Sequence, residues 1–488
     1  MSYTSITTLG QLKESGYHPL SVKEEIRKNL LSRLARREKV FEGILGFDDT
    51  VLPDVERALL SRHNILLLGL RGQAKTRIAR MMTQLLDEYI PIVDGSEIND
   101  DPLRPLSRAA IDLIQKHGDD TPVRWVHRDT RFVEKLATPD VSVADLIGDV
   151  DPIKAAALKL PYSDERVIHF GLVPRAHRSI FVLNELPDLQ ARIQVSLFNI
   201  LQEGDLQIRG FKLRFPLDIQ FVFTANPEDY TNRGSIVTPL KDRIESQILT
   251  HYPKNLETAL AITAQEADII TSQKDTISAV DEVRHILELI SFKARESEYI
   301  DEKSGVSARM SISAMENLYS TAERRMILNA DTSTSIRITD FWGVVPSITG
   351  KVELVYEGEQ EGPYGVAMNL VDGAIKELFL ELFPDPDKAS KSEKDPYGVI
   401  RAWFSSGNHV DLLNDDSEQA YRRKLDSIEG LDKLIEGHSH TTELAYFFKE
   451  LILHGLAAFD IIGKSVLDTK LSFVDPLARM FDDLDEED

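Results

Sequence analysis

Cysteine is missing from all 488 residues, which excludes disulfides and thiolate metal sites from whatever the chain does. Also missing is any uninterrupted apolar run near the roughly 18 residues a membrane span needs, so no membrane association is expected. The opening M-S-Y-T-S-I-T-T-L-G has no basic segment followed by an apolar one; no secretory signal is read there, and a cytoplasmic location is expected. Positive charge is in deficit. The 57 Lys and Arg face 80 Asp and Glu, and the resulting −23 repels nucleic acid and anionic surfaces. His438 and His440 lack an evident third ligand, so no metal site is expected at that pair. The terminal F-D-D-L-D-E-E-D reads as a solvated acidic tail, and no internal repeat is visible.

What is present begins with length. A chain this long exceeds one compact core and should divide into two to four domains. Its organising stretch is His63 to Leu86, H-N-I-L-L-L-G-L-R-G-Q-A-K-T-R-I-A-R-M-M-T-Q-L-L. An apolar strand (Ile65 to Leu68) runs into a glycine-bearing loop and then an amphipathic helix, the layout of a phosphate-binding loop. Backbone N–H groups of Gly69, Leu70, Arg71, Gly72, Gln73, Ala74 and Lys75 can wrap a polyphosphate. Lys75 would set its ammonium near the outer phosphates, and the Thr76 hydroxyl would ligate Mg²⁺. Thr76 and Arg77 continue into the helix, whose N-terminal dipole favours anions. Ala74 stands where the pattern G-x-x-x-x-G-K-[ST] has its second glycine.

Ser179-Ile-Phe-Val-Leu-Asn-Glu-Leu-Pro187 is the second constellation: a buried parallel strand delivering polar groups at its C-terminal edge. Hydrolytic phosphoryl transfer needs a metal-orienting group and a base there. Asn184 and Glu185 occupy those places, with Glu185 polarising the attacking water and the Asn184 carbonyl able to hold a metal-bound water. Ile219-Gln-Phe-Val-Phe-Thr-Ala-Asn-Pro227 is another buried strand, ending in Asn226, whose amide could bond the γ-phosphate and the lytic water. Arg233 and Arg243 follow, and either could reach a neighbouring subunit's site to stabilise transferred charge. Arg309 opens a later helix that could close on nucleotide.

Elsewhere the pattern predicts a helix over 22–37, apolar at Ile26, Leu30, Leu31 and Leu34, and helices at 48–60 and 107–116. It also predicts a second core strand at Trp125 to His127, a hairpin around Arg166 to Leu172, a helix over 193–201 and a hairpin arm over 205–215. Helices dominate from Asn255 to Leu328, with an apolar face at Val280, Val283, Ile286, Leu287, Leu289 and Ile290. Beyond Lys351 come an extended V-E-L-V-Y-E, a helix over 365–382, a linker over 384–396 and a helical terminal region. The expected division is an N-terminal helical extension (1–40), an α/β nucleotide-binding domain (41–250), a helical lid (251–350) and a C-terminal domain (351–488).

In this order the motifs resemble the AAA+ ATPases, and within them the MoxR and magnesium-chelatase ATPase-subunit (I subunit) branch. The likeness covers about residues 41–330. G-x-x-G-x-A-K-T is similar to that branch's phosphate loop, as are D-G-S-E-I-N-D-D-P (94–102), D-L-I-G-D-V-D-P-I-K-A (145–155) and G-L-V-P-R-A-H-R-S-I-F-V-L-N-E (171–185). The resemblance implies a AAA+ P-loop parallel sheet with flanking helices, then an all-α lid and a mainly α C-terminal region. It implies ATP and Mg²⁺ at Gly69, Gly72, Lys75 and Thr76, water activation by Glu185, a sensor at Asn226, an arginine finger at Arg243 with Arg233 in reserve, and a lid sensor at Arg309. The family's metal-site Asp is Asn184 here. It further implies a hexameric ring of identical chains acting on a partner with a von Willebrand factor A-type domain. Other readings are a chelatase subunit proper, a slowly hydrolysing switch, and a nucleic-acid motor or enhancer-binding transcription activator; net charge and the absence of the G-A-F-T-G-A loop those activators use oppose the last.

Overall fold

The computed structural model describes residues 5–206, 208, 215–227, 235–390, 395–436, 444–467 and 470–476. Arg233, His438, His440, the acidic tail and the middle of the 205–215 arm lie outside them. The chain forms two compact units, 1–251 and 252–488.

Five short segments build the main sheet of the first unit: β1 (Ile65–Leu68), β2 (Phe132–Leu136), β3 (Ser179–Asn184), β4 (Ile219–Ala225) and β5 (Ser246–Leu249). Every neighbouring pair is parallel and the order is β5-β1-β4-β3-β2. All five C-terminal ends therefore open on one edge, where α/β sheets bind their ligands. The three central strands are near-continuous apolar runs because both faces are covered. Ile65, Leu67, Ile180, Val182 and Val222 enter one core with α1 (Val22–Ala35), α2 (Val51–Leu60) and α3 (Lys75–Met81). Their neighbours in sequence, Leu66, Phe181, Leu183, Phe221 and Phe223, enter the other, together with Ile193 and Leu197. Such alternation is the two-residue period of a strand.

Ser21 and Glu24 form a capping box that starts α1. This helix buries Val22, Ile26 and Leu30, whereas Leu31 turns to solvent. Its Glu25 is fully buried in a two-pronged pair with Arg131, both contacts 2.7 Å, which ties α1 to the residue preceding β2.

Three local expectations are corrected. Val123–His127, which contains the expected core strand, pairs antiparallel with Tyr89–Val93 outside the main sheet. The place beside β3 goes to Phe132–Leu136, an edge strand whose Glu134 and Lys135 break the apolar signature. Ile168–Phe170 pairs with Gly148–Val150 across the helix Pro152–Leu158, so the expected local hairpin is a longer insert. The 193–201 helix breaks at Leu197 into Ala191–Ser196 and Phe198–Glu203.

In the second unit, α4 (Asp281–Glu296), α5 (Arg309–Leu328), α6 (Pro363–Leu382) and α7 (Ala445–Ala457) share one buried cluster. It joins Ile286 and Leu318 to Val371, Phe379 and Leu451, so no break in the core falls at residue 350. The whole expected apolar face of α4 is buried. The terminal region is not helical throughout: β6 (Val410–Leu413), β7 (Gly463–Leu467) and β8 (Lys470–Val474) form an antiparallel sheet in the order β6-β8-β7. The extended V-E-L-V-Y-E stops at a bridge between Leu354 and Ile300, and the helix Tyr356–Glu361 follows. Among the described residues no helix is long and apolar enough to cross a membrane.

Candidate nucleotide-binding site

The loop after β1 is pinned from below. Gly69 N–H donates to Ala225 O at 3.1 Å, and a Cβ at this position would overlap Thr250 Oγ1 and Gln73 Oε1, themselves hydrogen-bonded at 2.6 Å. Only glycine fits. Gly72 has φ +75°, and Ala74 takes the left-handed conformation at φ +53° immediately before α3. An L-residue there is destabilised by about 1–2 kcal/mol. Lys75 is buried, and its ammonium donates to Leu70 O at 2.9 Å, to Gly69 O and to Asn226 Oδ1 at 2.8 Å. Leu70, Gln73 and Thr76 complete the turn, while Arg71 and Arg77 point to solvent.

The ends of β3 and β4 face this loop. Asn184 Oδ1 lies 3.5 Å from Thr76 Oγ1 and 3.1 Å from Thr224 Oγ1, and its Nδ2 donates to Glu134 Oε1 at 2.6 Å. Glu185 sits at φ +54°, a conformation a non-glycine side chain holds only under constraint, at about 1–3 kcal/mol. Its N–H donates to Thr224 Oγ1 at 3.2 Å, and its Oε2 accepts from Asn226 Nδ2 at 3.2 Å. Lys75, Asn226 and Glu185 thus form one hydrogen-bonded line across the ends of β1, β4 and β3.

The oxygen donors suit Mg²⁺, which is held by a few protein oxygens together with substrate phosphates at 2.0–2.1 Å. The Thr76 hydroxyl and the Asn184 carbonyl, 3.5 Å apart, are the oxygens that would face the ion, directly or through its bound water.

The arginines stand apart from this line. Arg243 donates to Gln202 Oε1 at 2.8 and 2.9 Å and to Pro239 O at 2.6 Å, with its guanidinium 5.0 Å from the Phe198 ring centroid. Arg309 begins α5, in the second unit. The 94–102 motif is architectural. The buried Asp100 carboxylate accepts from Leu106 N, Ser107 N, Ser107 Oγ and Ser96 Oγ, folding its own loop. In the 145–155 motif Asp145 and Asp151 cap short helices.

Three residues of the site were not singled out from sequence. Thr224 and Thr250 are ordinary threonines at strand ends. Glu134 lies in F-V-E-K-L, where a carboxylate in the middle of a short strand was the available signal.

Sheet order and site together define the class, a parallel α/β fold with a P-loop-type turn, the architecture expected of a AAA+ ATPase. Within that class, the loop carrying Ala74 and the insert between β2 and β3 resemble the MoxR and magnesium-chelatase branch. No family model matches the chain. Among solved structures it is similar to a protein described as a candidate ATPase from Cytophaga hutchinsonii, at 16% identity over 74% of this chain and 97% of that one, TM-score 0.30. It is similar to the complex of magnesium-chelatase subunits BchI and BchD at 18% identity over 66% and 98%, TM-score 0.35. NtrX of Brucella abortus in complex with ATP matches at 13% identity over 82% and 72%, TM-score 0.34. At such values the class rests on the sheet order and the site, not on these likenesses.

Proposed function

We propose that this protein binds ATP with Mg²⁺ at the loop after β1 and hydrolyses it, in the manner of a AAA+ ATPase. The observation that carries the reading is the line Lys75–Asn226–Glu185, in which 2.8 and 3.2 Å contacts join the first residue of α3 to residues just beyond β4 and β3. Lys75 offers a cation to the outer phosphates. Glu185 is the carboxylate placed to accept a proton from the attacking water, and Asn226 touches both, so a change at the phosphate is felt at the base. Bound Mg²⁺ would neutralise phosphate charge, with Thr76 and Asn184 as its protein-side oxygens.

Charge spreading over the transferred phosphoryl calls for a further cation. Arg243 is the finger in this reading, supplied by one protomer to its neighbour, and Arg309 is the lid residue. The finger assignment makes the working form a ring, a hexamer by family resemblance; the location that goes with this reading is the cytoplasm. That resemblance also suggests a protein partner with a von Willebrand factor A-type domain, remodelled at the expense of ATP; residues 351–488, without a counterpart in the chelatase subunit, argue against chelation itself.

Asn184 favours a second reading, a nucleotide-dependent switch that assembles on ATP and turns it over slowly, because an amide brings no charge to the metal. Steady-state phosphate release, with Lys75→Ala as blank, tests both. Turnover clearly above the blank supports the motor. Nucleotide binding without turnover supports the switch, and absence of both removes the proposal.

A further inference from the structure

The amide at Asn184 leaves the metal side of the site one negative charge short, and a charge of that sign lies one strand away. Glu134 is on β2, which pairs with β3 so that Leu136 stands beside Asn184. Its two oxygens are divided between two partners. Oε2 accepts from Arg80 Nε at 2.9 Å and Arg80 Nη2 at 2.8 Å, and Oε1 accepts from Asn184 Nδ2 at 2.6 Å.

An asparagine can face either way, and its partners decide which atom goes where. A carboxylate only accepts, so Glu134 fixes the NH₂ end of Asn184 toward β2. On the other side, Thr224 Oγ1 accepts from Glu185 N–H and so turns its own proton to Asn184 Oδ1, 3.1 Å away. Both constraints leave the carbonyl oxygen toward Thr76. A surface ion pair with Arg80 would account for Oε2 alone; it does not account for the short contact to a buried amide.

We propose that Glu134 is a positioning residue for the cation that accompanies nucleotide. It orients the Asn184 carbonyl toward the metal position and, by accepting from the amide N–H, polarises that carbonyl so that it is a better oxygen donor. The inference rests on the nucleotide reading above. Carboxylates that back a metal ligand typically change metal affinity 10–100-fold when removed.

The test is binding of a fluorescently labelled ADP, first in excess EDTA and then across a Mg²⁺ titration, with no reading of turnover. Glu134→Gln should keep the EDTA affinity of wild type, which also reports an intact fold, while the Mg²⁺ midpoint rises about tenfold or more. The double variant Glu134→Gln/Asn184→Asp moves the charge onto β3 beside a neutral partner and should return the midpoint to near the wild-type value. Wild-type binding indifferent to Mg²⁺, an unmoved midpoint in the single variant, or no recovery in the double overturns the assignment. Failure of wild type to bind the labelled ADP at all removes the nucleotide reading instead.

Discussion

Ala74 and Glu185 share a backbone conformation that most side chains avoid, at φ +53° and +54°. For Ala74 the consequence is a mild strain that glycine would relieve. Ala74→Gly should therefore unfold at a urea midpoint no lower than wild type. Ala74→Val, with a branched Cβ in the same conformation, should lose about 2 kcal/mol. Equal midpoints for the two would mean that the loop relaxes out of the left-handed region. At Glu185 the conformation places the carboxylate against Asn226. In the proposed mechanism Glu185→Gln keeps the shape and removes the base, so ATP affinity should persist while phosphate release falls about 10²–10⁴-fold. Arg243→Ala should likewise spare affinity and suppress turnover; equal loss of both would make Arg243 a structural residue, held by Gln202 and Phe198.

Among the elements, α1 is tied down by one buried ion pair. Arg131→Met leaves Glu25 charged and buried without its counter-ion, with only the Asp87 N–H to accept from, so unfolding free energy should drop by about 3–5 kcal/mol in a urea melt. A neighbouring pair gives a pH signature. Burial, with the Arg178 charge beside it, holds the His177 imidazole down at about 3, whereas burial pushes the Asp218 carboxyl up to about 6. Stability from neutral His177 is present above its unfolded value of about 6.5 and is lost as pH falls through the folded value. Stability from protonated Asp218 is full below about 4 and is lost as pH rises through 6. Between about pH 4 and 6 the two slopes oppose. Asp218→Asn removes one, so stability should fall about 1.4 kcal/mol more per pH unit than wild type as pH drops through that window. Parallel pH profiles would contradict this.

The strands that carry the site were legible for a reason found in the same elements. β1, β3 and β4 are covered on both faces, so their apolar runs announce themselves, and the groups just beyond them, Lys75, Glu185 and Asn226, fall into place by position. β2 lies at the sheet edge and carries Glu134 and Lys135, so its five residues looked less like a strand than Trp125 to His127 did. With β2 misplaced, Glu134 could not be seen beside Asn184. Arg243 and Arg309 were legible only as members of a motif order, because their roles depend on a second protomer or on closure.

Over the whole molecule, the first unit is layered around a sheet and the second is gathered about one cluster that ignores the expected boundary at 350. The face of α4 made by Val283, Ile286, Leu287 and Ile290 is buried in a cluster to which α6 adds Val371, Ala374 and Leu378. A chain cut after residue 350 should therefore be poorly soluble and scatter light when expressed. A soluble, cooperatively folding 1–350 fragment would show the lid to be self-sufficient.

One close point of that cluster is Gly455, where a single added carbon would run into the Phe379 ring. There is no room for a side chain between α6 and α7 at this crossing. A side chain at 455 would have to part the two helices, so how closely they approach is set by that glycine.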